Sequence, residues 1–94
     1  MREQLLTLLL QVIVLYFAKS AELSGLKEEE LVAVPTPISS EDLWGLLLQK
    51  HPRLVALQGQ VVLAVHQQYV AIGDQLVTLA DGDEVAVVPP LSGG

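Results

Sequence analysis

Two apolar runs rich in β-branched residues stand near opposite ends of this chain, and that placement limits the folds open to it. Val12-Ile13-Val14-Leu15-Tyr16-Phe17 lies near the start and Glu84-Val85-Ala86-Val87-Val88 near the end. Both read as buried strands, because branched and aromatic side chains suit a pleated, packed surface. As the most apolar runs, they are expected at the centre of one sheet, covered on both faces and lying parallel.

The residues between them supply the rest of the layers. Residues 20–30 are polar and broken by Gly25, and Glu28, Glu29 and Glu30 read as a solvated surface. Leu31-Val32-Ala33-Val34 reads as a second strand, closed by Pro35-Thr36-Pro37 where backbone donors run out, and paired with the first as a hairpin. Ser39-Ser40-Glu41-Asp42 starts a helix, with hydroxyls to cap free N–H groups and carboxylates at the positive end of the helix dipole. Leu43, Leu46 and Leu47 give that helix an apolar face, with Trp44 and Leu48 at its edge as packing groups, and Pro52 ends it. His51 is expected to be an exposed last-turn residue. Val61-Val62-Leu63-Ala64-Val65-His66 is a third strand, turned by Gln67-Gln68 into Tyr69-Val70-Ala71-Ile72. Leu76-Val77-Thr78-Leu79 resumes the pattern, and Asp81-Gly82-Asp83 turns into the last strand. One helix on one face of a mixed sheet is an α+β layering.

Ninety-four residues leave room for one core. Eleven acidic residues against five basic ones give a formal charge of −6, which argues against nucleic acid and for a partner with a basic surface. The chain has no cysteine, which excludes disulfides and thiolate chemistry within it. His66 has no second ligand at metal-binding spacing, so no metal site is expected. Residues 5–18 are apolar enough to resemble the core of a secretory signal, but too short to span a bilayer. The β-branched content of that stretch favours a strand, and cleavage after Ser20 or Ala21 would remove it.

After the last strand the chain stiffens through Pro89-Pro90 and stops at Leu91-Ser92-Gly93-Gly94. Neither proline can donate to a sheet ladder, so pairing stops there and the strand's direction is carried outward. The final four residues reach at most about 13 to 14 Å, at roughly 3.3 to 3.6 Å per extended residue. Two glycines make the narrowest end a chain can have. Such an end is either a frayed terminus or a probe for a partner's tunnel.

The block from Leu79 to Gly94, ending Val87-Val88-Pro89-Pro90-Leu91-Ser92-Gly93-Gly94, resembles the C-terminal block of the small, sulfur-carrying subunits of molybdopterin synthase. Two further stretches resemble that family: Leu15-Tyr16-Phe17-Ala18-Lys19-Ser20-Ala21-Glu22-Leu23-Ser24-Gly25, and Ala64-Val65-His66-Gln67-Gln68-Tyr69-Val70. Ala21 stands where many bacterial members have arginine, which puts in doubt an ion pair with the activating enzyme at that position. The resemblance implies a ubiquitin-like β-grasp domain over residues 11–88, a tail over 89–94, and an extension over 1–10 that has no counterpart. It further implies that Gly94 is adenylated with ATP by an activating enzyme, converted to a thiocarboxylate, and inserted into the large subunit to donate sulfur to cyclic pyranopterin monophosphate. In that picture Gly93 keeps the tail narrow, while Pro89, Pro90, Leu91 and Ser92 aim it. Phe17, Tyr69 and Val88 match apolar positions that meet the large subunit, although Phe17 and Val88 read equally as core. Catalysis and the pterin site belong to the large subunit, in a heterotetramer of two small and two large chains. The chain is then a cytosolic carrier, with no permanently bound cofactor, no nucleic acid and no membrane as partner. A carrier for thiamin, for tRNA thiolation or for lysine conjugation would share the diglycine and the adenylation.

Overall fold

The computed structural model describes residues 8–89, and all but the first of the tail residues lie outside that range. Strand β1 (Leu8–Tyr16) is an inner strand of a five-stranded sheet of order β2-β1-β7-β4-β5. Strand β7 (Glu84–Val88) lies beside it in parallel, with Val14 opposite Val85 and Tyr16 opposite Val87. β2 (Glu28–Thr36) pairs antiparallel with β1 on the outer side, and β4 (Val62–Val65) and β5 (Gln68–Ala71) complete the other half. Helix α2 (Ser40–Lys50) supplies the core residues Leu43, Trp44 and Leu47, which cluster with alternate residues of these strands. A mixed sheet gripping one main helix is the α+β layering read from the sequence pattern, in the β-grasp arrangement that the resemblance implies.

The parallel central pair follows the expectation, but its cover does not. Val12, Val14, Val85 and Val87 are fully buried, while Ile13, Leu15, Ala86 and Val88, which alternate with them, are only partly so. A strand sends successive side chains to opposite faces, so one face meets the helix and the other stays open. One helix among short strands is not enough to cover two faces.

Other elements depart from the sequence reading for local reasons. Residues 19–24 form a short helix, α1 (Lys19–Ser24), inside the stretch read as a polar loop. Gly25 ends it in the left-handed conformation, φ 78°, its N–H donating to Ala21 O. β2 begins at Glu28 and passes through Pro35, a residue that an edge strand tolerates. A bulge between Leu10 and Val12, with Ala33 at φ 59°, lets Leu31 and Val34 both point inward although they stand three positions apart. A two-residue strand, β3 (Ile38–Ser39), pairs with β6 (Leu76–Val77), which is shorter than the stretch to Leu79 read from the sequence. Beyond Pro52 a 3-10 helix (Pro52–Leu57) buries Leu54 and Leu57.

Helix α2 starts as expected, yet its two serines divide the work. Ser39 Oγ accepts from Asp42 N at 3.0 Å and caps the helix. Ser40, fully buried, accepts from Gly73 N at 2.8 Å and donates to Ala71 O at 2.8 Å, tying the first turn to the end of β5. The β4–β5 hairpin turns at His66-Gln67, not Gln67-Gln68, with φ 53° and 65° at the two residues. That pair of left-handed residues gives the turn whose twist suits adjoining strands, and Gln68 is thereby free to pair with Val65. Among the described residues, no helix is long and apolar enough to cross a membrane.

Candidate functional site

Register across the sheet assembles the open face. Tyr69 of β5 stands opposite Ala64, Ala64 opposite Ala86, Ala86 opposite Leu15, and Leu15 opposite Glu28. A second row runs from Ala71 through Val62 to Val88. Directly opposed residues in a sheet share a face, so these rows make one apolar surface with a carboxylate rim of Glu28, Glu30 and Glu84. Small alanines at its centre leave the larger groups standing at the edges. Tyr69 is 76% exposed and Phe17, just past the end of β1, is 50% exposed.

The three residues singled out as partner-binding therefore meet different fates in the domain. Tyr69 and Phe17 are plainly at the surface, and neither belongs to the core. Val88 is part-buried in the open face beside Val62. Pro89 follows it directly and is buried, so the tail's first residue is held by the domain. Pro90, Leu91, Ser92, Gly93 and Gly94 lie outside the described residues. β1 begins at Leu8, which puts residues 8–10 of the supposed extension inside the sheet.

The corner after β1 is built from Ser20. Its N–H donates to Phe17 O at 3.1 Å, closing a turn in which Ala18 has φ 54° and ψ −127°. The Ser20 hydroxyl accepts from Phe17 N at 2.9 Å and donates to Phe17 O at 2.7 Å, while Val87 O lies 3.3 Å away. Nothing in the sequence marks this serine as buried; only its place three residues after Phe17 hints at a turn.

Two histidines have partners that the sequence did not disclose. His51 is not an exposed last-turn residue: its side chain is 17% exposed and its Nε2 lies 2.6 Å from Glu29 Oε1. The Tyr16 hydroxyl donates to the same oxygen at 2.7 Å, and the Tyr16 and His51 rings meet edge to face at 5.7 Å. Glu29 is thus not solvated like its neighbours. It lies opposite Val14 on the covered face, while Glu28 and Glu30 lie opposite Leu15 and Ile13 on the open one. Burial alone would raise the Glu29 carboxyl, but the Tyr16 and His51 hydrogen bonds outweigh it and hold the group below its ordinary range. Burial, then the bond to Glu29, pushes the Tyr16 phenol well above its ordinary value. His66 Nε2 sits 2.7 Å from Asp83 Oδ2, which also accepts from Ala80 N at 2.8 Å. The Ala80 N–H first, and His66 second, hold Asp83 below the usual carboxylate range.

These groups tie elements together and do not converge on a cleft. A groove of about 460 Å³ between Pro35, Pro37, Ile38 and the α2 residues Asp42, Gly45 and Leu46 lies beside one carboxylate, and the Ser39 hydroxyl there is spent on its cap. What the described domain offers a partner is the apolar sheet face, with the chain's end leaving from its central strand.

Residues 14–94 match the ThiS family. Over 86 residues the chain is 50% identical to the Homo sapiens molybdopterin synthase sulfur carrier subunit, covering 92% of this chain and 97% of that relative. It is 42% identical over 85 residues to the subunit of the same name from Chlamydomonas reinhardtii, covering 90% of this chain and all of the relative. A Pyrococcus furiosus structure provisionally described as molybdopterin converting factor, subunit 1, superposes with a TM-score of 0.66 at 30% identity, over 87% of this chain and 99% of that one. The crystal structure of SAMP1 from Haloferax volcanii gives 0.70 at 26% identity, over 89% and 99%.

Proposed function

This chain belongs to the ThiS family, and from that membership we propose that it is the sulfur-carrier subunit of a molybdopterin synthase. The observation that carries the reading is the 50% identity with the human sulfur carrier subunit across almost the whole of both chains. The open apolar face, with the strand from which the tail departs running through its centre, supports it as a docking surface.

The chemistry is that of a carboxylate made into a sulfur donor. A free carboxylate is a poor acceptor for sulfur, because its charge is delocalised and oxide is a poor leaving group. An activating enzyme lets a Gly94 carboxylate oxygen attack the α-phosphate of ATP, releasing pyrophosphate and leaving an acyl-adenylate. A hydrosulfide ion adds to the acyl carbon, AMP departs with the electron pair of the broken C–O bond, the S–H proton is lost to solvent, and a thiocarboxylate remains. The chain has no cysteine, so the terminus itself is the sulfur site. The loaded tail enters a large catalytic subunit and passes its sulfur to cyclic pyranopterin monophosphate. Gly93 keeps the tail narrow, Pro90, Leu91 and Ser92 aim it, and Pro89 fixes its root. Phe17, Tyr69 and Val88 meet the large subunit, whose matching surface is apolar with a basic rim facing Glu28, Glu30 and Glu84. Two carriers and two large subunits form the complex, in the cytosol.

Intact mass spectrometry after incubation with the activating enzyme, ATP and a sulfur donor tests this. The expected result is a mass rise of one oxygen-to-sulfur exchange, seen in the full chain and absent from a variant lacking Gly93 and Gly94. No exchange, with an enzyme that loads another carrier, overturns the reading. The likeness to SAMP1 favours one second reading, a carrier or modifier of another pathway. Loading with sulfur but no binding to a pterin-binding large subunit is the outcome that selects it.

A further inference from the structure

The turn at residues 17–20 is strained where a functional corner needs to be rigid. Ala18, at φ 54° and ψ −127°, holds the first central position of a type II′ turn, which glycine ordinarily fills. A side chain there is strained and persists only when its surroundings hold it. Ser20 is what holds it. It is fully buried, and its hydroxyl engages both backbone polar groups of Phe17, the N–H at 2.9 Å and the carbonyl at 2.7 Å. The same oxygen lies 3.3 Å from Val87 O, the carbonyl directly before Val88 and the tail's root. One hydroxyl thus spans the exposed aromatic corner and the last buried residue of the strand that feeds the tail.

We propose that Ser20 is a positioning residue for docking: it fixes Phe17 against the end of β7, so that the partner meets the aromatic corner and the root of the tail in one preset geometry. The inference rests on the carrier reading and adds a residue to it. Presetting a contact removes ordering costs that association would otherwise bear. Phe17 lies beyond the last residue of β1 with its side chain half exposed, and among the described residues its backbone is held by the Ser20 hydroxyl and by the Ser20 N–H, which donates to Phe17 O at 3.1 Å.

Two measurements on the full chain test it. In the first, amide hydrogen exchange is followed in wild type and Ser20→Ala. The Phe17 amide is expected to exchange about tenfold faster in the variant, the size of one lost hydrogen bond, with Val14 and Val85 unchanged. In the second, binding to the large catalytic subunit is measured in a cycle of Ser20→Ala, Phe17→Ala and the double variant. Ser20→Ala is expected to weaken binding by about five- to tenfold alone and by less than about twofold when Phe17 is already alanine. A residue that merely stabilises the fold gives the same loss in both backgrounds, and that result overturns the proposal. So does an unchanged Phe17 exchange rate. Should Ser20→Ala fail to fold, Ser20→Cys, a near isostere with a weaker donor, is expected to shift both readings in the same direction by a smaller factor. If wild type does not bind the large subunit at all, the carrier reading fails, while the exchange comparison still decides whether Ser20 holds Phe17.

Discussion

The two faces of the sheet are made by the same strands and carry opposite duties. On one, Val12, Val14, Leu63, Val65, Val85 and Val87 are shut from water by α2 and its neighbours. On the other, Leu15, Ala64, Ala86 and Val88 form an apolar surface, with Tyr69 standing 76% exposed beside it. The residues of the two faces alternate along the chain and differ little in hydrophobicity. What separates them is which side the helix lies on, so apolar character by itself marks neither core nor interface. The uncovered face is the one whose removal should cost function without costing the fold.

The comparison breaks most directly at Leu63, which is fully buried on the covered face. Leu63→Ala is expected to lower the free energy of unfolding by about 2–5 kcal/mol in a denaturant titration. A loss under about 1 kcal/mol would mean that this face is not the core. Tyr69→Ala is the counterpart on the open face. Its unfolding free energy should stay within about 0.5 kcal/mol of wild type, while affinity for the large subunit, measured by calorimetry, falls by about 2 kcal/mol. Equal losses of stability at both sites would erase the distinction.

The smallest effect sharpens the boundary between the faces, at Glu29. Its folded pKa is depressed, so its contribution is present above the ordinary value of 4.5 and is lost as pH falls through the depressed one. Tyr16 works in the other sense. Its folded pKa is raised, so its contribution is complete below the ordinary value of 10.0 and fades as pH rises beyond it. Tyr16→Phe is expected to cost about 0.5–1.5 kcal/mol near neutral pH and to flatten both arms of the plot of melting temperature against pH. Glu28→Gln and Glu30→Gln, on the open face, should each change the unfolding free energy by less than about 0.5 kcal/mol near neutral pH. If all three glutamates behave alike, the register assigned to β2 is wrong.

That run of three glutamates shows where reading the sequence stops. As a string, Glu28-Glu29-Glu30 is a solvated charge cluster, and two of its members face away from the helix. The middle one turns toward Tyr16 and His51 because the hairpin register sets it opposite Val14. His51 gained its partner the same way, from a strand twenty-two residues away. The Ser20 corner was equally hidden, since its partners are the backbone of Phe17 and of Val87, sixty-seven residues on. Contacts between distant segments leave no spacing in the string to be read.

What the sequence determined by itself was the layering. Its periodicities placed the helix between the Ser39-Ser40 start and Pro52, its branched runs placed the first and last strands, and their apolar content put those strands side by side at the centre. These are local signals, written in side-chain shape and in repeats of two or 3.6 residues. Tertiary structure alone decided which face of the sheet stayed open, which glutamate was partly buried, and that a serine and a strained alanine set the corner beside the tail. Those outcomes depend on register and on where one helix comes to rest, and a single covered face is all that one helix can provide.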